Sequence, residues 1–332
     1  MSVPLSILDL AEVGRGETVA DSLAASVTLA QHAEGWGYRR IWYAEHHNMP
    51  RIASAATSVL IAHVAAHTST IRLGSGGVML PNHSPLTIAE QFGTLATLHP
   101  NRIDLGLGRA PGTDQQTFRA LRRDHAAAER FGDDVLELQG FLGDESRVPG
   151  VTATPGRGTH VPLYILGSSL FGARLAAVLG LPYAFASHFA PAALTDAVAL
   201  YRKEFRPSAQ LDAPYVIAGV GVIASTSQDD AEAQLLEAQR RRVKFLVGKQ
   251  RRLTDDEVDL LLDSPAGDQV RQMTRYAAVG TPDVVREQLE RFAAHADADE
   301  LILASSARDR HARLRTFELV AAAGATLTTA AP

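Results

Sequence analysis

The stretch IRLGSGGVMLPNHSPLTIAEQFGTLATLHPNRIDLGLG, residues 71–108, decides the fold. It opens on a short β-rich run, Ile71–Gly76, passes through a segment of helical period, Pro85–Leu98, and closes on a second β-rich run, Arg102–Gly108. Strand, helix, strand in that order is one unit of a parallel sheet, because parallel neighbours need a long crossover between them. Outward from this unit the pattern repeats. Runs bounded by Gly, Pro or polar turns lie at Leu5–Leu10, Arg39–Tyr43, Pro162–Leu166, Pro182–Ala186, Tyr215–Ala224 and Glu300–Ala304. Amphipathic segments such as Asp21–Trp36, Ser54–His67 and Arg174–Leu179 lie between them. Eight strands each followed by a helix is the number that closes a (β/α)₈ barrel, whereas an open doubly wound sheet stops nearer five to seven strands. The expectation is therefore an α/β chain, a TIM barrel with insertions, forming one domain over residues 1–332.

Composition narrows the chemistry. The 332 residues are 46% hydrophobic and 21% charged, with a net charge of −5, which is the balance of an ordinary globular chain. No polybasic block marks a nucleic-acid or anionic-membrane partner, so small molecules are the expected ligands. The absence of cysteine removes disulfides, thiol nucleophiles, iron–sulfur clusters and cysteine-ligated zinc. The opening MSVPLSILDLAE has no basic n-region and meets Asp9 early, and no apolar run reaches the ~18 residues of a spanning helix. A cytoplasmic protein is expected. Two segments exceed the repeat. Residues 143–161, rich in Gly, Pro and Thr, read as an insertion loop before the fifth strand. Residues 228–280 double the spacing between the last two strands and hold the charged runs Arg240–Arg242, Lys249–Arg252 and Asp255–Asp259. They read as a solvated helix pair or as a lid.

In a barrel of this kind the site lies at the C-terminal ends of the strands. Strand two runs into Tyr43-Ala44-Glu45-His46-His47-Asn48. Neighbours on a strand point to opposite faces, so His46 and His47 are not expected to share a metal ion. One histidine can move a proton near neutral pH with Glu45 fixing its tautomer, or both can simply tie loop to barrel. After strand three, Gly76 and Gly77 permit close backbone approach to a flat ligand, or a bulge. After strand four comes Gly106-Leu107-Gly108-Arg109-Ala110-Pro111-Gly112. A dinucleotide turn is disfavoured, since Pro111 interrupts the helix start and no acidic strand end follows at the usual distance. Arg109 can instead hold a phosphate by two parallel hydrogen bonds, or be a plain surface arginine. After strand five, Ser168, Ser169, Leu170 and Gly172 open a helix whose free N–H groups and hydroxyls suit an anion, although serines also cap helices that bind nothing. Together these positions could hold a planar ring and its phosphate, as a mononucleotide requires. His63 and His67 lack a third ligand, so no metal is expected, and Trp36 and Trp42 read as core or interface. Neither a G-x-S-x-G elbow nor a P-loop is present.

Over nearly its whole length the chain resembles the bacterial luciferase-like flavin monooxygenases. The resemblance rests on Trp42–Asn48, Gly74–Pro81, Asn101-Arg102 through Gly108-Arg109, Leu166–Ser169 and Val279-Gly280-Thr281-Pro282, in that order. It implies reduced FMN supplied by a separate flavin reductase, and O₂ converted at the flavin to a C4a-hydroperoxide that oxygenates a small organic substrate. It implies His46 as the catalytic histidine, with Glu45 beside it, and Arg109, Ser169 and Gly172 at the phosphate. The Gly76–Gly77 step corresponds to a non-proline cis peptide often found beside the ring, and the family often forms homodimers through helices near strands two and three. Residues 111–124 and 228–280 match no pattern tied to a long-chain aldehyde, so light emission is not implied. Deazaflavin-dependent hydride-transfer dehydrogenases belong to the same family and remain an alternative. A non-enzymatic flavin-binding protein, or a phosphate-sugar barrel enzyme without flavin, are the others.

Overall fold

The computed structural model describes residues 3–110, 114–123, 126–247 and 253–323. Among the described residues nine strands are present: β1 Leu5–Asp9, β2 Arg40–Tyr43, β3 Arg72–Met79, β4 Ile103–Gly108, β5 Leu163–Gly167, β6 Tyr183–Phe185, β7 Val216–Ala224, β8 Ala278–Gly280 and β9 Glu300–Ser305. They pair in the order β6-β5-β4-β3-β2-β1-β9-β7-β8, and a β6–β7 pairing closes eight of them into a ring. The chain is a TIM barrel. The ninth strand corrects the sequence reading, which placed no strand between residues 228 and 280. Strand β8 is three residues long, too short to show a period, and exists because the final turn of β7, Val222–Ala224, projects beyond the ring and offers it a free edge.

Strands of a parallel barrel are covered on both faces, which explains near-continuous apolar runs such as β4, buried along its length. Their outward side chains, among them Ile7, Ile41, Leu73, Leu105 and Ile165, pack under the helices in the main core. The inward set is smaller and comprises Leu8, Trp42, Ala44, Tyr164, Ala184, Ile217 and Ile302. Helix ends follow local chemistry. Val19–Gly35 begins at a capping box in which Thr18 and Asp21 each satisfy the other's backbone N–H. Leu170–Leu179 stops at Gly180, whose φ of 64° suits a residue without Cβ.

The N-terminal end of the barrel is plugged by charge. Arg40, at the start of β2, donates through Nη1 to Asp104 Oδ2 and to the Tyr164 hydroxyl, both at 2.7 Å, and through Nη2 to Glu300 at 3.1 Å. The Trp42 indole N–H reaches Asp104 at 3.1 Å and the Tyr215 hydroxyl reaches Glu300 at 2.8 Å. Buried charges are tolerated here because each one is paired and hydrogen-bonded.

Residues 143–162 carry neither helix nor strand. They lie against helix Pro85–Leu98 so closely that a Cβ on Gly93 would sit 2.3 Å from Gly156 Cα. Residues 228–280 form helices Gln228–Val247, Asp255–Leu262 and Pro265–Met273 before β8. The run Lys249–Arg252 lies outside the described residues, while Arg240 and Lys244 pair with Asp259 and Asp255 at 2.7 and 2.8 Å. Among the described residues, no helix is long and apolar enough to cross a membrane.

Candidate active site

The C-terminal rim is built by the residues that follow each strand. His46, Arg109 and Ser169 follow β2, β4 and β5, whereas β3 runs on to Met79 and so holds Gly76 and Gly77 inside it and not after it as the sequence reading had them; the four strands are consecutive neighbours in the ring through the pairs Tyr43–Ser75, Met79–Gly108 and Gly108–Leu166. Four positions scattered over more than a hundred residues of sequence thus come onto one arc.

Glu45 anchors the first part of that arc. Its buried carboxylate accepts from His47 Nε2 at 2.8 Å, His83 Nε2 at 2.9 Å, Asn82 Nδ2 at 3.2 Å and the Met79 N–H at 3.1 Å. Burial alone would raise its pKa, but the hydrogen bonds from His47 and His83 and the charge of His83 outweigh that and hold it at about 2. The same contact raises the pKa of His47. The expected pairing of Glu45 with His46 is therefore corrected: the carboxylate orients His47 and His83, since alternation along the chain turns the His46 ring the other way. His83, in the loop after β3, escaped the sequence reading; its signal was its place in a strand-end loop. Ligand atoms of Glu45, His47 and His83 lie within 4.8 Å of one another. With several N–H donors already converging on the carboxylate, the trio is a hydrogen-bonded cage that ties the β2 and β3 loops together.

His46 is half-buried, and its Nδ1 is enclosed without a hydrogen-bond partner, which leaves Nε2 as the atom able to meet a ligand. Burial lowers its pKa, the charge of Glu45 raises it and that of His47 lowers it again; the net shift is downward. A neutral imidazole at neutral pH is the result. Across the mouth stands His188, which follows β6 and was missed in the sequence. Its Nδ1 is likewise enclosed and unpartnered, so close to β7 that a Cβ on Gly219 would lie 2.5 Å from it. Burial first, then the charges of Arg242 and His46, push its pKa down to about 4.

Gly76 and Gly77 are joined by a cis peptide, at the step the resemblance singled out. A Cβ on Gly76 would lie 2.6 Å from Leu8 Cδ1 and 2.9 Å from Trp42 Cβ, and one on Gly77 would lie 2.7 Å from the Gly106 carbonyl oxygen. The barrel itself occupies the space these glycines free, and the β3–β4 register shifts between Ser75 and Val78. Trp42, 1% exposed, is core, as its sequence position implied, and the imidazole of His67 is engaged by the His63 carbonyl at 2.7 Å.

The last part of the arc faces solvent. Arg109 is exposed, with its guanidinium 4.1 Å from the centroid of the exposed Phe171 ring. That ring sits in the first turn of helix Leu170–Leu179, whose N-cap Ser169 makes no side-chain capping bond. Ser168 is half-buried, Leu170 is exposed and Gly172 is buried against Tyr183. The helix start thus offers N–H groups and hydroxyls beside a cation. Gly112 and Pro111 lie outside the described residues.

Comparison with known proteins shows the family and the fold. A family profile described as luciferase-like monooxygenase matches residues 3–299. A luciferase-like monooxygenase of Escherichia coli (strain K12) is 47% identical over 321 residues, 96% of each chain. The N-acetyl-S-alkylcysteine monooxygenase of Bacillus subtilis (strain 168) is 32% identical over 328 residues, 96% of this chain and 97% of that one. Among solved structures, apo-MsnO8 superposes with a TM-score of 0.84 at 38% identity, covering 97% of this chain and 98% of the other.

Proposed function

The chain belongs to the luciferase-like monooxygenase family, and from that premise we propose that it is an FMN-dependent monooxygenase that takes reduced FMN from a separate flavin reductase and oxygenates a small organic substrate. The observation that carries this reading is the arc itself: an enclosed, unpartnered His46 Nδ1 after β2 and an uncapped helix start after β5 beside Arg109 after β4. These residues fit a flat phosphorylated cofactor, since one end of the arc offers cation and N–H donors and the other a neutral proton carrier. FMN, when bound, supplies the electrons that activate O₂.

The chain's own residues do the rest. Arg109 grips the phosphate by a forked pair of hydrogen bonds, with Phe171 holding the guanidinium plane. Ser168, Ser169 and the N–H groups of Leu170 and Gly172 donate to the remaining phosphate oxygens. The Gly76–Gly77 step supports the ring. His46 holds or moves a proton at Nε2. Glu45 is a positioning residue that fixes the loop carrying His46. Leu8 and Trp42 close the floor against water from below, and residues 228–280 act as the lid above. The N-acetyl-S-alkylcysteine monooxygenase makes S-alkyl thioethers the first substrates to try. A cytoplasmic homodimer completes the reading. Exposed Val59 and Leu98, on the helices after β2 and β3, supply apolar surface for its interface.

The test is to titrate the full chain with reduced FMN, oxidised FMN and a deazaflavin while following oxygen uptake. Reduced FMN should bind and support substrate-dependent uptake. Deazaflavin binding without uptake would identify a hydride-transfer dehydrogenase, and oxidised FMN held without uptake a flavin-binding protein. His46→Ala should slow turnover by about 10²–10⁴-fold with FMN affinity intact; unchanged turnover would remove His46 from the mechanism.

A further inference from the structure

Three nitrogens crowd one oxygen of the cage around Glu45. Its Oε1 lies 2.8 Å from His47 Nε2, 2.9 Å from His83 Nε2 and 3.2 Å from Asn82 Nδ2. A carboxylate oxygen offers two lone pairs, so three donors over-subscribe it unless His83 turns to Oε2, 3.0 Å away, where the Met79 N–H already donates. Two imidazole nitrogens and one carboxylate oxygen, with ligand atoms within 4.8 Å of one another, are also the donor set of a zinc site. Ligands of a tetrahedral ion bound at ~2.0–2.1 Å stand roughly 3.3 Å apart, so the trio has to open by only about half an ångström to admit one.

The frame that carries these donors is held by other bonds. The His83 N–H donates to the Leu80 carbonyl at 2.9 Å, and Arg123 Nε donates to the Asn82 carbonyl at 3.1 Å. The Met79 N–H and the Asn82 amide keep the carboxylate oriented whether the imidazoles act as donors to it or as ligands beside it, which is the support that metal-binding carboxylates need. The Glu45 side chain is 1% exposed, whereas those of His47 and His83 are 18% and 28% exposed. An ion therefore has a path in from solvent, and a water can complete the tetrahedron. Two imidazoles among three ligands suit Zn²⁺ and its transition-metal neighbours over Mg²⁺ or Ca²⁺, which prefer oxygen. The other close histidine pair, His63 and His67, has ring centroids 4.7 Å apart, but His67 Nδ1 is engaged by the His63 carbonyl and no third ligand joins them among the described residues.

We infer that Glu45, His47 and His83 form a binding site for a divalent transition-metal ion, Zn²⁺ foremost, which clasps the loop after β2 to the loop after β3. Coordination uses the same atoms as the hydrogen-bonded cage and replaces its imidazole–carboxylate bonds. His46 contributes no ligand, because alternation along the chain turns its ring the other way. The ion is a structural clamp on the loop that carries His46, and the site stands whether or not the chain is a monooxygenase.

The experiment uses the full, untagged chain, freed of metal by a chelator that is then removed, with no flavin present. Calorimetry uses Zn²⁺ alone and absorption spectroscopy Co²⁺ alone. The wild type should bind one Zn²⁺ per chain at this site, its unfolding midpoint should rise with Zn²⁺ concentration, and Co²⁺ should give the intense visible band of a four-coordinate ion. His47→Gln and His83→Gln should each weaken Zn²⁺ binding by about a hundredfold and abolish the Co²⁺ band, while His63→Gln leaves both unchanged. Glutamine keeps an N–H donor for Glu45, and the wild-type Co²⁺ band and midpoint shift decide the matter if either variant fails to fold. No Zn²⁺ binding below about 1 mM, a pale six-coordinate Co²⁺ spectrum, binding that survives in both cage variants, or binding lost in His63→Gln would each overturn the inference. Absence of flavin-coupled oxygen uptake would sink the proposed function and leave the metal site standing, so the two failures are distinguishable.

Discussion

The two ends of the barrel are made of the same chemistry and put it to opposite uses. At the N-terminal end, Arg40, Asp104, Glu300, Tyr164 and Tyr215 form a closed set in which each charge meets a fixed partner. At the C-terminal end, the Nδ1 atoms of His46 and His188 are drawn out of water and left without partners. Satisfied polar groups rigidify a scaffold, and unsatisfied ones store the capacity to bind. The lesson is that residue type does not separate structural from functional charge in this molecule; completeness of pairing does.

The strongest way to break that comparison is at the plug. Arg40→Met would take the shared buried cation from Asp104 and Glu300, leaving Asp104 with Arg72 and Glu300 with the more distant Arg39, and should cost about 3 kcal/mol of stability by urea denaturation. A cost below about 1 kcal/mol would mean that the plug is no more tightly coupled than the mouth.

Acid titration sharpens the contrast next. The folded-state pKa of His188, about 4, lies below the ordinary value of 6.5. Between those two values the unfolded chain binds a proton that the folded chain refuses, so stability falls as pH drops from 6.5 towards 4, by at most about 3 kcal/mol. Glu45, held at about 2, acts in a lower window: its contribution is complete above about pH 4.5 and is lost as pH falls towards 2. Denaturation curves at pH 7 and pH 5 should differ in the wild type and converge in His188→Asn. An unaltered pH dependence in that variant would show that the ring is not held neutral by its burial.

The smallest effect compares two helix starts. Thr18 is engaged in a capping box, and Ser169 caps nothing. Thr18→Ala should therefore lose about 1 kcal/mol, whereas Ser169→Ala should leave stability within about 0.5 kcal/mol and weaken FMN binding instead. A stability loss at Ser169 equal to that at Thr18 would show that its hydroxyl serves the helix.

Several parts of the site were legible in the chain because a βα repeat announces its strand ends. His46, Arg109 and Ser169 stand directly after apolar runs, and the fold places such residues at the mouth. His83 and His188 were not legible as site residues. His83 acquires meaning only from Glu45, 38 positions earlier, and His188 only from its approach to Gly219 on β7. The glycines at 76 and 77 were legible as glycines, yet the reason for them is the approach of Leu8, Trp42 and Gly106 from three other places in the sequence.

Local sequence determined the strands, their helices and the count of eight that closes the ring, because apolar period and turn chemistry act over a few residues. It also determined which side chains stand at strand ends. Tertiary structure alone decided which of those polar groups would find a partner. Hydrogen bonds and ion pairs form across the barrel between residues far apart in the chain, and burial, which makes an unpaired group costly and therefore useful, exists only once the ring has closed.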